Sequence, residues 1–372
     1  MTTSRTYLDY NASAPLRPEA EAAMAEAMAM AGNASSVHAE GRRLRALVDR
    51  ARDSVADAVG ARPGGVVFTA GATEANNLAL GFGRERRAIV SAIEHDSVLQ
   101  PASESAGVSV AADPDGVVDL AALERALAAA DGPALVSLML VNNETGVIQP
   151  VAEAAAICRA YGALLHCDAV QALGRMPVDM AALGADMVSL SAHKIGGPQG
   201  VGALVLAEGV APPPHTLGGG QEGGRRAGTL NAAGIAGFAA AIEAALRDAA
   251  QQERLAAWRD AMEGALVAAE PQVRVIGAGS ARVAGVSCLA MPGFAAETAI
   301  MALDLAGFAV GAGSACSSGK IGRSHVLQAM GLPADVARCA IRVSGGWATG
   351  PDDMARFADA WLAAARRARR AA

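Results

Sequence analysis

The stretch Asp186-Met-Val-Ser-Leu-Ser-Ala-His-Lys-Ile-Gly-Gly-Pro-Gln-Gly-Val-Gly-Ala-Leu-Val-Leu206 has two apolar runs, typical of β-strands, on either side of a polar turn. Lys194 stands in that turn. A lysine held between strands loses hydration, which favours a neutral amine that can condense with a carbonyl. The surrounding glycines are expected to let a ligand approach the backbone: Gly196, Gly197, Gly200 and Gly202. Lys194 therefore fits a Schiff base to a bulky aldehyde cofactor; the alternative is a solvated lysine on a hairpin turn.

The composition indicates a globular protein. The chain has 372 residues, 52% of them hydrophobic and 18% charged, with a formal net charge of −6. This length exceeds one compact core of typical size, and the composition excludes disordered and collagen-like classes. The net charge gives no reason to expect nucleic acid as a partner. We expect a large domain at residues 13–255 and a smaller domain made of residues 1–12 and 256–372.

The N-terminal sequence and the cysteines indicate in which cellular compartment the protein is expected. Residues 1–7 lack the apolar segment of a signal peptide, and no apolar run reaches the ~18 residues of a membrane span. We therefore expect a cytoplasmic protein without a membrane partner. Five scattered cysteines with no C-x-x-C pair argue against a disulfide framework and a metal site. Four are predicted to be core residues: Cys158, Cys167, Cys288 and Cys339.

Cys316 differs from the other cysteines because it lies in a polar loop, Gly311-Ala-Gly-Ser-Ala-Cys-Ser-Ser-Gly319. Burial cannot explain a cysteine in such surroundings. The loop at residues 311–323 is rich in Gly and Ser and has few apolar anchors, so we expect it to be mobile.

Short β-rich runs alternate with longer helical stretches up to residue 206. The predicted strands are residues 66–69, 88–92, 108–111, 134–141, 163–167, 187–190 and 201–206. The predicted helices between them are residues 73–80, 97–105, 120–130 and 151–161. This alternation predicts an α/β fold with a mainly parallel sheet flanked by helices, whose ligands bind at the carboxyl ends of the strands.

The rest of the chain predicts other structure. The segment at residues 217–231 is too rich in glycine for a helix or strand, and we interpret it as an ordered binding loop. A helix is predicted from Ile235 through Trp258 toward Ala269. A smaller α+β unit follows, with strands near residues 283–290, 309–311 and 340–344.

Polar residues that follow the predicted strands are candidates for a site. Thr73 opens a helix after Gly71, where its hydroxyl and nearby amides can hold a phosphate; the alternative is an ordinary N-cap. Asp168 ends a strand, where it can pair with a cationic pyridine nitrogen or serve as a structural cap. His95 can stack on a ring or move protons, or it can be structural.

Arg342 lies inside a strand-like run, Ala340-Ile-Arg-Val-Ser344. A buried arginine needs an anionic partner, which can be a substrate carboxylate or a protein Asp or Glu. A phosphate cradle, an Asp, a His, a reactive Lys and an Arg on one sheet edge are the groups that pyridoxal phosphate (PLP) catalysis needs. This combination, rather than any single residue, carries the inference.

Long motifs extend the pattern over almost the whole chain. They are Phe68-Thr-Ala-Gly-Ala-Thr-Glu-Ala-Asn-Asn77, Glu94-His95, Val141-Asn-Asn-Glu-Thr-Gly146, Asp168-Ala-Val-Gln171, Ser191-Ala-His-Lys-Ile-Gly-Gly-Pro198, Arg225-Arg-Ala-Gly-Thr-Leu-Asn231 and Gly313-Ser-Ala-Cys-Ser-Ser-Gly319. With these motifs the sequence resembles the NifS/IscS-like cysteine desulfurases among the class V, fold-type I PLP enzymes. The resemblance implies the fold-type I transferase fold with a smaller α+β domain.

The resemblance also implies a role for each matching residue. Lys194 forms the Schiff base with PLP, Asp168 pairs with the pyridine nitrogen, and Gln171 contacts the ring hydroxyl. His95 stacks on the ring and assists proton transfer. The phosphate is held by Ala72, Thr73, Ser191 and His193, joined by Thr229 from the other subunit of a homodimer. The substrate carboxylate is bound by Asn143 and Arg342.

The implied reaction converts L-cysteine to L-alanine and leaves sulfur as a persulfide on Cys316, for delivery to an acceptor or scaffold protein in iron-sulfur cluster assembly or thiolation. One rival is another class V reaction, such as that of a selenocysteine lyase or an aminotransferase; Cys316 argues against the aminotransferase. Another rival is a catalytically silent sulfur-carrier or assembly subunit. An intact Lys194, Asp168 and Cys316 set argues against that rival.

Overall fold

The computed structural model of the chain describes residues 5–312 and 324–371. Cys316 lies outside the described residues, as does most of the loop predicted to be mobile. The strands, in chain order, are β1 (Thr6–Tyr7), β2 (Val66–Thr69), β3 (Arg87–Ser91), β4 (Val108–Val110), β5 (Ala134–Met139), β6 (Leu164–Asp168), β7 (Met187–Ser191), β8 (Gly202–Leu206), β9 (Arg274–Ile276), β10 (Val286–Ala290), β11 (Phe308–Ala309), β12 (Gly311–Ala312) and β13 (Ala340–Ser344).

The helices lie mostly between these strands. They are α1 (Pro18–Met28), α2 (Ala39–Ala58), α3 (Ala72–Leu80), α4 (Asp96–Glu104), α5 (Leu120–Ala128), α6 (Val151–Ala160), α7 (Met180–Leu183), α8 (Ala232–Arg247), α9 (Ala249–Ala269), α10 (Ala296–Leu305), α11 (His325–Ala329), α12 (Ala334–Ala337) and α13 (Pro351–Ala371). The glycine-rich segment at residues 217–231 contains one short 3-10 turn, Gln221–Gly224, and otherwise irregular backbone.

The main sheet of the described residues has seven strands in the order β2-β8-β7-β6-β5-β3-β4. Strands β7, β6, β5, β3 and β4 are mutually parallel, whereas β8 is antiparallel to β7 and β2. Every residue of β5, β7 and β8 is buried, as expected of strands covered on both faces. The predicted α/β fold with a mainly parallel sheet is confirmed.

Helices pack on both faces of this sheet because successive strand residues point to opposite sides. Phe68 belongs to a core cluster that includes residues of α2, α5, α6 and α8. Its neighbour Val67 belongs to a different cluster, with residues of α3 and α4. The carboxyl ends of the parallel strands are therefore held between two helical layers, which fixes the side chains that follow them.

A second sheet has the order β12-β13-β10-β9, and its strands are antiparallel. Its core contains Phe294, Phe357 and Trp361, from the region of α10 and α13. The N-terminal strand β1 pairs with β11, and Leu8 joins the same core. The domain boundaries near residues 12 and 255 stay a prediction.

The prediction of one continuous helix from Ile235 toward Ala269 is wrong at Asp248, which separates α8 from α9. Asp248 accepts a hydrogen bond from Arg17 Nη2 at 2.7 Å. Aspartate is a poor residue for a helix interior because its side chain competes for backbone groups. A partner distant in sequence thus stabilises the break. Helical periodicity in the sequence does not predict such a contact.

Two further predictions concern burial and hydropathy. The four cysteines predicted to be core residues are buried: Cys158, Cys167, Cys288 and Cys339. In the described part of the chain, no helix is long and apolar enough to cross a membrane.

Candidate active site

A cavity of about 860 Å³ opens at the carboxyl ends of the main-sheet strands. Segments that follow β2, β3, β5, β6 and β7 line it, together with residues near the N-terminus and one residue of β13. The predicted site residues that line it are Ala72, Thr73, His95, Asn143, Asp168, Gln171, Ser191, His193, Lys194 and Arg342. The edge of the sheet predicted to bind a ligand therefore brings these side chains together.

Lys194 follows β7, and its amino group contacts the N-terminal segment. Its Nζ donates to the carbonyl oxygens of Asn11 at 2.6 Å and Ala12 at 2.9 Å. Lys194 also lines the cavity. These contacts hold the amine at the cavity wall and disfavour the alternative of a freely solvated lysine.

The glycines around Lys194 serve different purposes. A Cβ on Gly196 would lie 2.6 Å from Arg17 Cγ, and one on Gly197 would lie 2.9 Å from Ala192 Cβ. These two glycines therefore make room for the chain itself rather than for a ligand. Gly200 lines the cavity, has φ +76°, and a Cβ on it would meet nothing within 4 Å.

Asp168 is the last residue of β6 and is 7% exposed. Its Oδ2 accepts a hydrogen bond from Asn76 Nδ2 at 2.8 Å, and its Oδ1 accepts from the backbone N–H of Val170 at 3.0 Å. Each carboxylate oxygen thus has a fixed donor. The carboxylate is oriented at the wall of the cavity rather than free to rotate.

His95 is the N-cap of α4. Its Nδ1 accepts from the backbone N–H of Ser97 at 3.1 Å and lies 2.8 Å from Ser97 Oγ. Because Nδ1 accepts, the neutral ring carries its proton on Nε2. His95 therefore has the structural role that was one alternative, and it also lines the cavity.

The N-terminus of α3 forms one end of the cavity. Gly71, not Thr73, is the N-cap, and no side chain caps this helix among the described residues. The alternative of Thr73 as an ordinary N-cap is therefore wrong. The first N–H groups of a helix have no acceptor inside it, and the helix dipole favours an anion there. Ala72 and Thr73 thus present donors to the cavity.

Ser191, His193 and Gln171 add polar groups to the wall. Within the described ranges, Ser191 Oγ and Gln171 Oε1 are buried without a hydrogen-bond partner. Gln171 Nε2 donates to the carbonyl oxygen of Asn11 at 3.1 Å. Burial, together with the charge of Lys194, lowers the pKa of His193 to about 4, so its ring is neutral at pH 7.

Arg342 lies on β13 and is 2% exposed. Its Nη2 donates to Asp9 Oδ1 at 2.7 Å, and its Nη1 donates to the carbonyl oxygen of Asn143 at 3.1 Å. A protein carboxylate, one of the two alternatives, is thus present. Arg342 Nε and Asn143 Oδ1 remain buried without a partner in the part of the chain that the structure describes.

Asn11 is a site residue that the sequence analysis missed. Its carbonyl oxygen accepts from Lys194 and Gln171, and its Nδ2 donates to the carbonyl oxygen of Asn143 at 2.9 Å. These partners lie far away in sequence, so no local sequence pattern indicates that Asn11 belongs to the site. The missed residues Asp9 and Asn76 share this property, since each contacts a predicted site residue from a distant segment.

Two buried titratable groups lie near Asp168. Burial raises the pKa of the Glu94 carboxyl group well above its ordinary value. Burial lowers the pKa of His166 to about 4, and its ring contacts Ser137 Oγ and Ser189 Oγ, both at 2.8 Å. Burial thus disfavours the charged form of both groups beside Asp168.

Two predicted site residues are not placed at the cavity. Thr229 is exposed in the glycine-rich segment and does not line the cavity. Cys316 lies outside the described residues.

Residues 6–357 match the family model described as aminotransferase class-V. The chain belongs to this family. A relative, the IscS-like cysteine desulfurase of Mycobacterium tuberculosis, is 39% identical over 383 residues, which cover 98% of each chain. The class V aminotransferase fold is also seen in the solved NifS-like protein from Rickettsia africae, with 31% identity and a TM-score of 0.91 over 97% of this chain and 99% of that one.

Another solved protein is SspA in complex with cysteine. It is 27% identical and superposes with a TM-score of 0.78 over 91% of this chain and 98% of SspA. These matches confirm the predicted resemblance of this chain to the NifS/IscS-like cysteine desulfurases.

Proposed function

We propose that the protein is a PLP-dependent cysteine desulfurase that converts L-cysteine to L-alanine and leaves the sulfur on Cys316 as a persulfide. The observation that carries this proposal is the meeting of Lys194, Asp168 and Arg342 at one cavity. The name of the Mycobacterium tuberculosis relative and the cysteine bound by SspA support cysteine as the substrate.

The cavity fits PLP. Buried polar atoms without partners cost stability, so Ser191 Oγ and Gln171 Oε1 favour a ligand that pairs with them. A Cβ on Gly71 or Gly200 would meet nothing within 4 Å, which leaves room at the N-terminus of α3. When bound, PLP supplies an electron sink for the substrate carbon that loses its proton.

Each wall of the cavity holds one part of the cofactor. The phosphate is held by the amides of Ala72 and Thr73 at the positive end of α3, with Ser191 and His193 beside them. Asp168 pairs with the ring nitrogen, and Gln171 contacts the ring hydroxyl. Lys194 is the amine that bonds the aldehyde carbon.

The substrate is held through its carboxylate by Arg342 and Asn143. Arg342 is already oriented by Asp9, and its buried Nε lacks a partner in the residues described. A guanidinium group binds a carboxylate through a planar fork, which fixes the orientation of the amino acid as well as its position.

Two groups move protons. Lys194 Nζ accepts the α-proton of the substrate and later returns a proton to the product. His95, whose neutral ring carries its proton on Nε2, assists the transfer. Asn11 and Ala12 keep the lysine amine near the site through their carbonyl oxygens.

Sulfur transfer uses Cys316. Its thiolate attacks the sulfur of the substrate, so an S–S bond forms while the Cβ–S bond of the substrate breaks. The electron pair of that bond stays with carbon, which takes up a proton to give L-alanine. Oxidation of the two sulfurs is balanced by reduction of carbon, and no further oxidant is needed. The other four cysteines are buried, which supports Cys316 as the nucleophile.

The protein works as a homodimer in the cytoplasm and passes the persulfide sulfur to an acceptor protein. In the dimer, Thr229 reaches the phosphate bound by a second copy of the chain. The exposure of Thr229 and its absence from its own cavity lining support this arrangement. The same glycine-rich segment carries Leu217, which is 79% exposed and favours burial in an interface.

Incubation of the holoprotein with L-cysteine and a thiol reductant tests this function. We expect alanine and sulfide in equal amounts, because each turnover releases one of each. Formation of a keto acid instead of alanine would identify an aminotransferase. If no product depends on cysteine, the result would favour the rival in which the protein is a catalytically silent carrier or assembly subunit.

Asp168→Ala is expected to weaken PLP binding by about 30-fold or more, since truncation of one member of a buried charge pair costs several kcal/mol. Turnover should fall with it. Asp186→Ala is the matched control. Asp186 precedes β7, at the end of the strand away from the cavity, and its Oδ2 accepts from Leu165 N at 2.7 Å. Absorbance titration of both apoproteins checks this, and equal PLP affinities would show that Asp168 is only structural.

Arg342→Lys is expected to raise the KM for L-cysteine about tenfold or more, because a lysine keeps the charge but loses the planar fork. PLP affinity should not change. Arg282→Lys is the control, since the side chain of Arg282 is 7% exposed, against 3% for Arg342, and it binds Glu263 away from the cavity. Steady-state kinetics with the two variants measure the difference, and an unchanged KM in Arg342→Lys would remove Arg342 from the substrate site.

A further inference from the structure

We propose, resting on the function given above for Asp168 and His95, that Asn76 is a positioning residue that fixes both side chains in one arrangement. Asn76 lies on α3 and is 0% exposed. It lines the cavity of the proposed cofactor site.

The amide nitrogen of Asn76 connects the two sides of the site. Its Nδ2 donates to Asp168 Oδ2 at 2.8 Å and to Ser97 Oγ at 2.8 Å. An amide NH2 group carries two hydrogens, so both bonds form at the same time. No other natural side chain of this size offers two donors from one planar atom.

Ser97 carries the connection on to His95. Because Ser97 Oγ accepts from Asn76, its own hydrogen is available for His95 Nδ1, which lies 2.8 Å away. The backbone N–H of Ser97 donates to the same ring nitrogen at 3.1 Å. The direction of each bond is thus set, and His95 keeps Nδ1 as an acceptor.

Stability alone does not account for an asparagine at this position. Its Oδ1 is buried without a hydrogen-bond partner in the described residues, which has a free-energy cost that an apolar side chain would avoid. We therefore attribute the presence of asparagine at this position to its two N–H donors. In α3, Thr73 precedes Asn76 by three residues, and side chains at that spacing lie on the same face of a helix.

The positioning role predicts a specific pattern in Asn76→Ala. Loss of the donor to Asp168 is expected to weaken PLP binding to the apoprotein about 10- to 100-fold, the range for a hydrogen bond to a charged group. With saturating PLP, kcat for alanine formation should fall by a similar factor while the KM for cysteine stays within about threefold. Asn77→Ala is the comparison variant, because Asn77 also lines the cavity but its Nδ2 donates, among the described residues, to the backbone oxygens of Thr73 and Ser97 and not to Asp168.

A double-mutant cycle tests the branch toward His95. Ser97→Ala should reduce kcat in the wild-type background but add little to Asn76→Ala, because the connection is then already broken. Fully additive effects of the two substitutions would overturn this branch. Equal PLP affinity and equal kcat in Asn76→Ala and Asn77→Ala would overturn the role of Asn76 altogether.

Two controls keep the outcomes separate. If Asn76→Ala does not fold, as judged by thermal unfolding, Asn76→Asp keeps the size of the side chain, lacks the N–H donors and is expected to lose PLP affinity at least as strongly. If the wild-type protein forms no alanine from cysteine, the proposed function fails. The comparison of PLP affinities between the Asn76 and Asn77 variants still decides the role of Asn76.

Discussion

Lys194→Ala is expected to lose cysteine turnover by about 10³-fold or more, because it removes both the covalent anchor and the group that moves the α-proton. The visible absorbance of the PLP-loaded protein should change with it. Borohydride reduction of the wild-type holoprotein should attach the cofactor to the peptide that contains Lys194. The measurement combines alanine formation, absorbance and peptide mapping.

The composition makes this test unusually selective. The chain has only two lysines, Lys194 and Lys320, so a reduced cofactor has few places to be found. Lys194→Arg is the matched variant, since arginine keeps the charge that contacts the carbonyls of Asn11 and Ala12 but cannot be deprotonated. It should fold and be inactive. Cofactor on the Lys320 peptide, or activity in Lys194→Arg, would contradict the assignment.

Cys316→Ser is expected to bind PLP and L-cysteine like the wild type but to release alanine more slowly by on the order of 10³-fold or more, as when a covalent nucleophile is removed. Serine offers no soft nucleophile to attack sulfur, whereas the earlier steps do not use the thiol. The assay must use cysteine, because the weaker C–Se bond of selenocysteine can break without that attack.

Cys339→Ser is the control for Cys316→Ser. Cys339 is buried and does not line the cavity, so its substitution should affect stability and leave turnover per folded molecule unchanged. Equal alanine release from Cys316→Ser and from the wild type would show that sulfur leaves by another route.

Most of the predicted site residues line the cavity because the fold is regular. Alternating strands and helices predict a mainly parallel sheet, and the carboxyl ends of its strands meet at one edge. Asp168 ends a strand, and His95 and Lys194 each follow one, so their positions along the chain were enough to bring them together. Arg342 was recognised as an unusual charge inside a strand.

The partners of these residues could not be predicted in the same way. Asp9 binds Arg342, although most of the chain lies between them. Asn11 binds Lys194, although about half of the chain lies between them. In the sequence, Asn76 looks like an ordinary helical residue, and its role becomes visible when α4, which contains Ser97, packs beside α3. Such contacts depend on tertiary packing, and local propensity and periodicity contain no information about them.

The sequence also did not predict which groups pack against each glycine. Gly196 was expected to make room for a ligand, yet it makes room for Arg17 and Pro15 of the N-terminal segment. The same segment delivers Asn11 to Lys194. The lysine turn is thus shaped as much by its contact with the start of the chain as by its own residues.

Peptide mass spectrometry after a brief exposure of the holoprotein to L-cysteine tests the central claim most directly. We expect the peptide that contains Cys316 to gain the mass of one sulfur atom, and a thiol reductant to remove it as sulfide in step with alanine formed. The peptides of Cys158, Cys167, Cys288 and Cys339 should stay unmodified. Release of alanine with no added sulfur on Cys316 would contradict the persulfide mechanism.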